Sequence, residues 1–367
     1  MKKFLYKKKL LLYTGYQNFS WNPESFSSKA MGGTEAALYN LSKCFNKLGY
    51  EVFVVGDVIE GDYDGVKYRT SESMHKSYSN DRFHAIIATS YIHYLEEFKN
   101  FNFNKSFLCI HNTDTSGGWW FPWWRGESLP NQGLDLLQSP KLTNIVCLTN
   151  WHRDKFCEAF PNVSSKVKIL GNAVDLNRLP KPKPKKPQTF IYSSHAERGL
   201  EILLSNWGLI KSQIPNSTLK ICTPAYGLSY FEEIKKKFSH LKNYGVSFLG
   251  ALSQSELYDI IAETDYWLYP TRYEETYCIT ALEMQALGTF ILTSKFSALR
   301  DTVSDRGVLI DLHDNDSTFF KNFLKELFYL ESNLEKKQEI LIKAKNWAYL
   351  QSWENRSIEW VNLIELN

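Results

Sequence analysis

The chain has 367 residues, of which 43% are hydrophobic and 23% are charged, and its formal net charge is +3. This length accommodates two domains of ordinary size, and the apolar content excludes a globally disordered protein. So small a net charge gives no support to a nucleic-acid-binding function. The apolar runs are too short for a signal-peptide core or a membrane span, which predicts a soluble, cytoplasmic protein.

The lysines are concentrated in two segments, MKKFLYKKK at the start of the chain and KPKPKKP near its middle. The first segment is interpreted either as a solvated tail or as a contact for an anionic membrane surface. The six cysteines form no CxxC pair, and most of them lie in apolar runs such as FLCI and IVCLT. Buried free thiols in a reducing compartment are therefore predicted.

Short apolar runs, many of them β-branched, alternate with helical patterns through the first half of the chain. Strands are predicted at residues 9–16, 51–57, 84–90, 106–112, 144–150 and 166–172. Helices are predicted at residues 35–49 and 151–160. Alternation of this kind is typical of a parallel sheet with helices on both faces.

Residues 180–187, PKPKPKKP, are the predicted linker, because proline blocks regular structure and the lysines repel one another. The alternation then restarts. Strands are predicted at residues 188–194, 218–223, 246–252, 265–270, 290–294 and 307–311. Helices are predicted at residues 200–210, 228–242, 253–264 and 274–289, and from residue 317 nearly to the end. The prediction is an α/β protein with two doubly wound domains, residues 1–180 and 188–346, whose sites lie at the carboxyl ends of the strands.

The stretch EETYCITALEMQALGT, residues 274–289, carries two glutamates eight positions apart, Glu275 and Glu283. The run between them favours helix, and Gly288 is a plausible stop. A helix that starts just after a strand offers unpaired N–H groups and a favourable dipole to an anion. Either the two acids are merely solvated, or they bracket a diphosphate that carries a sugar at each end.

Several other residues have both a functional and a structural interpretation. Gly32 and Gly33 precede the first helix, where they either admit a phosphate or sugar or form a flexible capped loop. His111 follows a strand and either faces a cleft or is structural. Arg198 lies between a strand and a helix, where it either neutralises a diphosphate or lies on a helix surface.

A loop at residues 116–127 contains four tryptophans. It is interpreted as a platform for sugar rings, a lipid-facing lip, a partner contact or an interior plug. Two Asp-x-Asp pairs, at residues 62–64 and 314–316, lie in polar surroundings without a second group of ligands. Both are interpreted as turns rather than metal sites.

Taken in chain order, six segments resemble the retaining GT-B glycosyltransferases of family 4. Glu275 and Glu283 match the E-x7-E motif of that family, and residues 246–270 resemble the strand, glycine turn, helix and strand that precede it. LGNAVD resembles the family's Asn-Gly-Val-Asp segment, while MGGTEAA and IHN resemble its glycine loop and strand-end histidine. SWENRSIEWVNLI is similar to its tail helix. The resemblance implies the GT-B fold, with two Rossmann-like domains facing a cleft and a C-terminal helix, about residues 347–367, crossing back to the first domain.

The resemblance also implies roles for individual residues. Glu275 would hold hydroxyls of the donor sugar, and Glu283 would hold those of the ribose. Arg198 stands where the family has a lysine and would offset the charge of the leaving group. His111 would lie near the reacting centre, and Leu252 would pack against the nucleobase.

The diphosphate would be cradled by four backbone N–H groups, those of Thr276, Tyr277, Cys278 and Ile279. Ser193 and Ser194 would also lie at the donor site. Ser193 stands where many members have an arginine, and Tyr277 and Cys278 replace the usual Phe-Gly. These departures leave open how closely the backbone approaches the donor.

The predicted function is transfer of a sugar, with retention of configuration, from a nucleotide-diphosphate sugar to a glycan, lipid or other hydroxyl acceptor. The resemblance implies a hexosyltransferase-like enzyme that needs no metal or other cofactor. A nucleotide-sugar epimerase of the same fold and a non-catalytic nucleotide-sugar binder remain as alternatives. The expected partners are the donor and a glycan or lipid-linked acceptor, without nucleic acid. Peripheral membrane contact through the lysine-rich N-terminus or the tryptophan loop stays open.

Overall fold

The computed structural model describes residues 7–15, 20–25, 33–113 and 135–366. The chain divides into two compact units: Met1–Asn172 together with Trp353–Asn367, and Ala173–Ser352. The division lies ahead of the proline-lysine segment 180–187, and the first strand of the second unit already begins at Lys186.

The first unit is an α/β unit built on one sheet. Its strands are β1 (Lys9–Gly15), β2 (Glu51–Gly56), β3 (Gly61–Tyr63), β4 (Val66–Arg69), β5 (Arg82–Thr89), β6 (Asn102–Cys109), β7 (Asn144–Cys147) and β8 (Val167–Ile169). Its helices are α1 (Gly33–Lys47), α2 (Ser71–Tyr78), α3 (Tyr94–Glu97), α4 (Asn150–Ala159) and the C-terminal α13 (Trp353–Leu366), with a 3-10 helix at Pro161–Lys166. Among the described residues the strand order is β3-β4-β2-β1-β5-β6-β7-β8.

The central strands of this sheet are parallel, with Leu10 opposite both Val52 and Ala85. Their sequences are continuous apolar runs, because helices cover both faces of a parallel sheet and bury every side chain. In β1, Leu10 to Leu12 are completely buried. α13 packs against α1, so the chain ends on the unit in which it began.

The hairpin of β3 and β4 is absent from the sequence-based prediction, which interpreted residues 62–64 as a turn. Asp62 and Tyr63 lie in β3, and only Asp64 lies in the turn, at φ 51°, followed by Gly65 at φ 79°. Two successive positive φ angles in Asp-Gly are the signature of a tight hairpin turn. The strands are too short, at three and four residues, to give an alternating pattern.

The second unit is built on a six-stranded, fully parallel sheet. Its strands are β9 (Lys186–Ser193), β10 (Thr218–Cys222), β11 (Val246–Gly250), β12 (Thr264–Tyr269), β13 (Phe290–Ser294) and β14 (Val308–Ile310). Its helices are α5 (Leu200–Ser205), α6 (Trp207–Gln213), α7 (Leu228–Lys237), α8 (Gln254–Glu263), α9 (Ile279–Ala286), α10 (Leu299–Thr302), α11 (Asp316–Ser332) and α12 (Leu334–Leu350). Short 3-10 helices lie at Leu176–Arg178, Ala225–Gly227 and Ser239–Tyr244. The strand order is β11-β10-β9-β12-β13-β14.

The helical end of the chain, predicted as helix from residue 317 with a tail helix at about residues 347–367, consists of three helices. Asn333 ends α11 and caps α12, because its side chain accepts a hydrogen bond from the Lys336 N–H at 3.2 Å. Gln351 and Ser352 then separate α12 from α13. Asparagine favours caps over helix interiors, but its signal is easily lost inside a long helix-favouring stretch.

Glu365 anchors α13 to the first unit. Its carboxylate accepts hydrogen bonds from Lys8 Nζ at 2.5 Å and Tyr50 Oη at 2.7 Å, and His84 Nε2 lies 3.0 Å away. Burial alone would raise the pKa of this carboxyl, but the hydrogen bonds from Lys8 and Tyr50 outweigh it and lower the pKa to about 2. The ionised form is therefore the one that the fold stabilises.

We expect this anchor to weaken as the pH falls from the ordinary glutamate pKa toward about 2, because the unfolded chain takes up the proton first. Glu365→Ala should remove the pH dependence and lower stability by about 1 kcal/mol, since the group is partly exposed. Hydrogen exchange of the α13 amides between pH 3 and pH 7 measures this. Glu359→Ala, on the same helix, is the control, and equal effects of the two variants would contradict the assignment.

Candidate functional site

The carboxyl ends of β9 and β12 form the floor of the candidate site in the second unit. The two strands are neighbours, and they end at Ser193 and Tyr269. The turn that follows β9 passes directly over the end of β12. A Cβ on Gly199, whose φ is 105°, would lie 2.2 Å from the Pro270 carbonyl oxygen, so only glycine permits this approach.

Glu275 lies in the loop after β12, and its side chain is nearly buried. Its Oε1 accepts a hydrogen bond from Tyr269 Oη at 2.8 Å and another from Arg198 Nη1 at 3.2 Å. Ser194 Oγ in turn donates to Tyr269 Oη at 3.2 Å. A carboxylate held in this way has a fixed direction and retains a second oxygen with acceptor capacity.

The backbone of Glu275 is fixed by the turn after β13. Its N–H donates to Ser297 Oγ at 2.9 Å, and its carbonyl accepts from the Ala298 N–H at 3.2 Å. Ser297 is completely buried and has φ 45°, an uncommon angle for a residue with a side chain. The surrounding structure therefore maintains a strained residue that supports the Glu275 loop.

Arg198 lies between Glu275 and an aromatic ring. Its guanidinium carbon is 3.6 Å from the centroid of the Tyr273 ring, which is a close cation–π contact. Its side chain is 25% exposed, so it keeps access to solvent while one N–H group meets Glu275. The arrangement presents a permanently charged group beside a buried carboxylate.

The helix predicted over residues 274–289 begins only at Ile279, and this corrects the position of Glu275. The carboxylate lies in the preceding loop rather than at the start of the helix. Thr276 and Tyr277 also precede α9, and Cys278 is its N-cap with a left-handed backbone at φ 68°. A positive φ is costly for cysteine, whereas glycine adopts it freely. Burial raises the pKa of the Cys278 thiol well above its usual range, so the thiol is neutral.

Glu283 lies on α9 and is 6% exposed. Its Oε1 accepts hydrogen bonds from Tyr258 Oη at 2.6 Å and Gln254 Nε2 at 3.1 Å. Burial raises the pKa of this carboxyl to about 7, and the hydrogen bonds from Tyr258 and Gln254 oppose the rise without cancelling it. Near neutral pH, Glu283 therefore changes between a neutral and an ionised form.

The raised pKa of Glu283 predicts a pH dependence of stability. Between the ordinary glutamate pKa of 4.5 and about 7, the folded protein holds a proton that the unfolded chain has lost. The free energy of unfolding should therefore fall as the pH rises through this window, by up to about 3 kcal/mol. Urea unfolding at pH 4.5–8 tests this by comparing the wild type with Glu283→Gln, which should lack the decline. A decline of the same size in the variant would assign it to another group.

The remaining donor-site candidates of the second unit lie at the same edge of its sheet. Ser193 is the last residue of β9 and is buried, and Ser194 follows it. Leu252 lies after β11 and packs against the core from a partly exposed position. These residues and Glu283 therefore surround the carboxyl ends of β9, β11 and β12.

His111 and Gly33 lie in the first unit. His111 follows β6, and burial together with the nearby His152 lowers its pKa to about 4. His152 Nδ1 accepts from the Leu148 N–H at 3.3 Å, so Nε2 carries the proton and donates to the Asn112 carbonyl oxygen at 2.9 Å. Both rings are thus neutral at physiological pH. Gly33 is the first residue of α1.

Five contributors to the site are absent from the sequence-based prediction: Tyr269, Tyr273, Ser297, Tyr258 and Gln254. The sequence does contain a signal for Tyr269, because it is the last residue of an apolar strand. Side chains at the carboxyl end of a parallel strand lie where ligands bind. Tyr258 lies four residues after Gln254, on one face of α8, but nothing in the sequence indicates that this face meets Glu283. Ser297 gives no local signal, because its role depends on a distant loop.

Gly32 and the tryptophan loop lie outside the described residues. Within residues 7–15, 20–25, 33–113 and 135–366, no group of three or more His, Cys, Asp or Glu side chains is placed to hold a metal ion. The helices of this described part do not include one that is both long and apolar enough to cross a membrane.

Comparison with known proteins identifies the fold class and a family match. A glycosyltransferase from Rickettsia africae ESF-5 superimposes with a TM-score of 0.74 at 12% identity, covering 98% of this chain and 99% of its own. A sucrose-phosphate synthase from Thermosynechococcus elongatus gives 0.73 at 14% identity, with coverages of 98% and 99%. Anabaena HepE, in complex with UDP and glucose, gives 0.68 at 14% identity, with coverages of 98% and 100%. The predicted fold class, GT-B, is confirmed.

The family match lies in the second unit. Residues 174–346 match the family model described as glycosyl transferases group 1. The matched range lies within the second unit and contains both Glu275 and Glu283. None of the curated proteins compared with the chain matches its sequence.

Proposed function

We propose that the protein is a retaining glycosyltransferase of family 4 that transfers a sugar from a nucleotide-diphosphate sugar to a hydroxyl acceptor. One observation carries the proposal: Arg198 and the buried Glu275 meet at 3.2 Å at the carboxyl ends of β9 and β12, within a group 1 glycosyl transferase domain. A positive group and a carboxylate side by side suit a ligand that joins a diphosphate to a sugar.

The proposed roles follow the chemistry of each group. Arg198 offsets the negative charge that develops on the departing diphosphate, and it does so without losing a proton. Glu275 accepts hydrogen bonds from hydroxyls of the donor sugar. Glu283 accepts hydrogen bonds from the ribose hydroxyls, and Tyr258 and Gln254 fix the orientation of its carboxylate. The complex of HepE with UDP-glucose supports a nucleotide-sugar donor and a hexosyl group for this chain.

In the proposed reaction, the bond between the anomeric carbon and the diphosphate oxygen breaks as the acceptor oxygen bonds to the same face of that carbon. The acceptor proton passes to the departing diphosphate, so no separate base is required. The protein contributes positioning and charge stabilisation. Because Arg198 supplies the positive charge, we propose that turnover requires no divalent metal, and unchanged activity in EDTA is the expected result.

We further propose a cytoplasmic location and a glycan or lipid-linked acceptor. The free thiols of Cys109, Cys147, Cys157, Cys222 and Cys278 support a reducing compartment. Exposed Lys7, near the start of β1, supports an electrostatic contact with an anionic membrane. Flotation with phosphatidylserine vesicles at low and high salt tests that contact, which salt should abolish.

Binding of nucleotides tests the proposed donor site. UDP, GDP and ADP are each added to the purified protein, and the melting temperature is compared with and without each nucleotide. At least one should raise it, by an amount that grows with concentration. Glu283→Gln should need about ten times more nucleotide to give the same rise. A wild-type protein that responds to none of the three would contradict the proposal.

A further inference from the structure

A cavity of about 300 Å³ opens on the second unit next to the Arg198–Glu275 pair. The turn after β9, the first helix that follows it, α7 and the loop after β12 form its walls. The residues that line the cavity include Glu197, Gly199, Glu201, Tyr230, Arg272 and Tyr273. Its volume is at the small end of ligand-binding cavities and leaves room for a single sugar ring.

The cavity is connected to the candidate donor site through Tyr273. Arg198 stacks on the Tyr273 ring at 3.6 Å and donates to Glu275 at 3.2 Å. One guanidinium therefore separates the wall of the cavity from the carboxylate proposed to hold the donor sugar. A group bound in the cavity would be next to that sugar.

The charges in the walls disfavour an anionic occupant. Glu197 is 64% exposed, and Glu201 forms an ion pair with Lys237. Arg272, the arginine among the described residues of the wall, forms an ion pair with Asp316 at 2.8 Å. Burial raises the pKa of Tyr230, and the negative charges of Glu201 and Glu197 raise it further, so both carboxylates act on the cavity. Among these described residues, a phosphate would meet two carboxylates and an arginine that is already paired.

The same walls favour a neutral ligand rich in hydroxyl groups. Tyr273 is 45% exposed, and Arg198 lies against one face of its ring, so the exposed part remains available for stacking. Tyr230 adds a second aromatic group with a polar end. Aromatic rings pack against the apolar faces of sugars, and carboxylates accept hydrogen bonds from their hydroxyls.

We propose that this cavity is a subsite for one neutral pyranose ring of the acceptor, on the donor-binding unit. The inference rests on the proposed function and deepens it: the acceptor is a carbohydrate rather than a bare lipid alcohol. Tyr273 is its stacking platform, and Glu197 and Glu201 accept hydrogen bonds from its hydroxyls. The acceptor sugar and the donor sugar then lie on the two sides of Arg198.

Saturation-transfer NMR with methyl glucosides, galactosides and mannosides tests the subsite on the full chain. The wild type should bind at least one of these glycosides, and UDP at saturation should not displace it. Glu201→Gln and Tyr230→Ala should each weaken that binding about tenfold. Lys237→Gln removes the ion pair of Glu201 but leaves its carboxylate in the cavity, so it should retain binding.

Several outcomes would overturn the subsite. They are the absence of glycoside binding, binding that neither Glu201→Gln nor Tyr230→Ala changes, an equal loss in Lys237→Gln, and displacement by inorganic phosphate. Nucleotide-induced melting shifts are measured on the same samples. If nucleotides stabilise the wild type and no glycoside binds, the subsite fails and the proposed function stands. If no nucleotide stabilises the wild type, the proposed function itself fails.

Discussion

Replacing Glu275 by alanine is expected to lower the rate of sugar transfer at least about tenfold, on the order of one lost charged hydrogen bond. The carboxylate receives hydrogen bonds from Tyr269 and Arg198, so it cannot rotate away from the ligand edge. Its removal eliminates the acceptor proposed for the donor-sugar hydroxyls and abolishes the hydrogen bond that Arg198 donates to Glu275. We expect the loss mainly in kcat, since nucleotide binding depends on other groups.

The matched control is Glu339→Ala, an exposed carboxylate that also pairs with a basic side chain, Lys336, in the second unit. It should transfer sugar at the wild-type rate. Steady-state kinetics with a saturating donor, together with circular dichroism of each variant, separates chemistry from misfolding. A folded Glu275→Ala protein with unchanged turnover would remove Glu275 from the site.

Arg198→Ala is expected to reduce transfer about a hundredfold, because a charge-stabilising group in a catalytic site is worth several kcal/mol. Two effects combine in this variant. The diphosphate leaving group loses its positive partner, and Glu275 remains buried with only Tyr269 donating to it among the contacts described above. Both effects oppose the departure of a negatively charged group.

Arg198→Lys distinguishes the charge of Arg198 from its geometry. Lysine keeps the charge but lacks the planar guanidinium that stacks on Tyr273. Since the family 4 glycosyltransferases that the sequence resembles have lysine at this position, this variant should recover most of the activity that alanine loses. The measurement is kcat and KM for the donor in all three proteins. Equal activity of Arg198→Ala and wild type would show that the leaving group needs no help from this residue.

The sequence was sufficient to predict the fold because strand and helix patterns alternate with strong local signals. Runs such as LLLY and AIIA are apolar at every position, as buried parallel strands require. The elements missed were short or interrupted. The strands of the hairpin of β3 and β4 are too short to show an alternating pattern of apolar and polar residues. The helix breaks at Asn333 and Ser352 depend on caps and packing.

For the candidate site, the sequence identified charged residues but not the groups that hold them. Glu275 and Glu283 belong to a motif of fixed spacing, and Arg198 stands out by its place between a strand and a helix. Ser297 contacts Glu275 from another loop, and nothing near either residue in the sequence indicates that contact. The start of α9 was predicted too early because residues 274–278 have no proline or glycine to interrupt the helical pattern. A left-handed Cys278 can only be seen once the loop is folded.

The most direct test of the account is to follow the anomeric configuration of the product by NMR. The purified protein is incubated with UDP-, GDP- and ADP-sugars and a neutral glycoside acceptor, and the new glycosidic linkage is assigned from its coupling constant. We predict transfer from at least one donor, with the anomeric configuration of that donor retained. An inverted product would contradict the retaining mechanism. Formation of an epimer of the donor, or binding without any turnover, would contradict the transferase assignment.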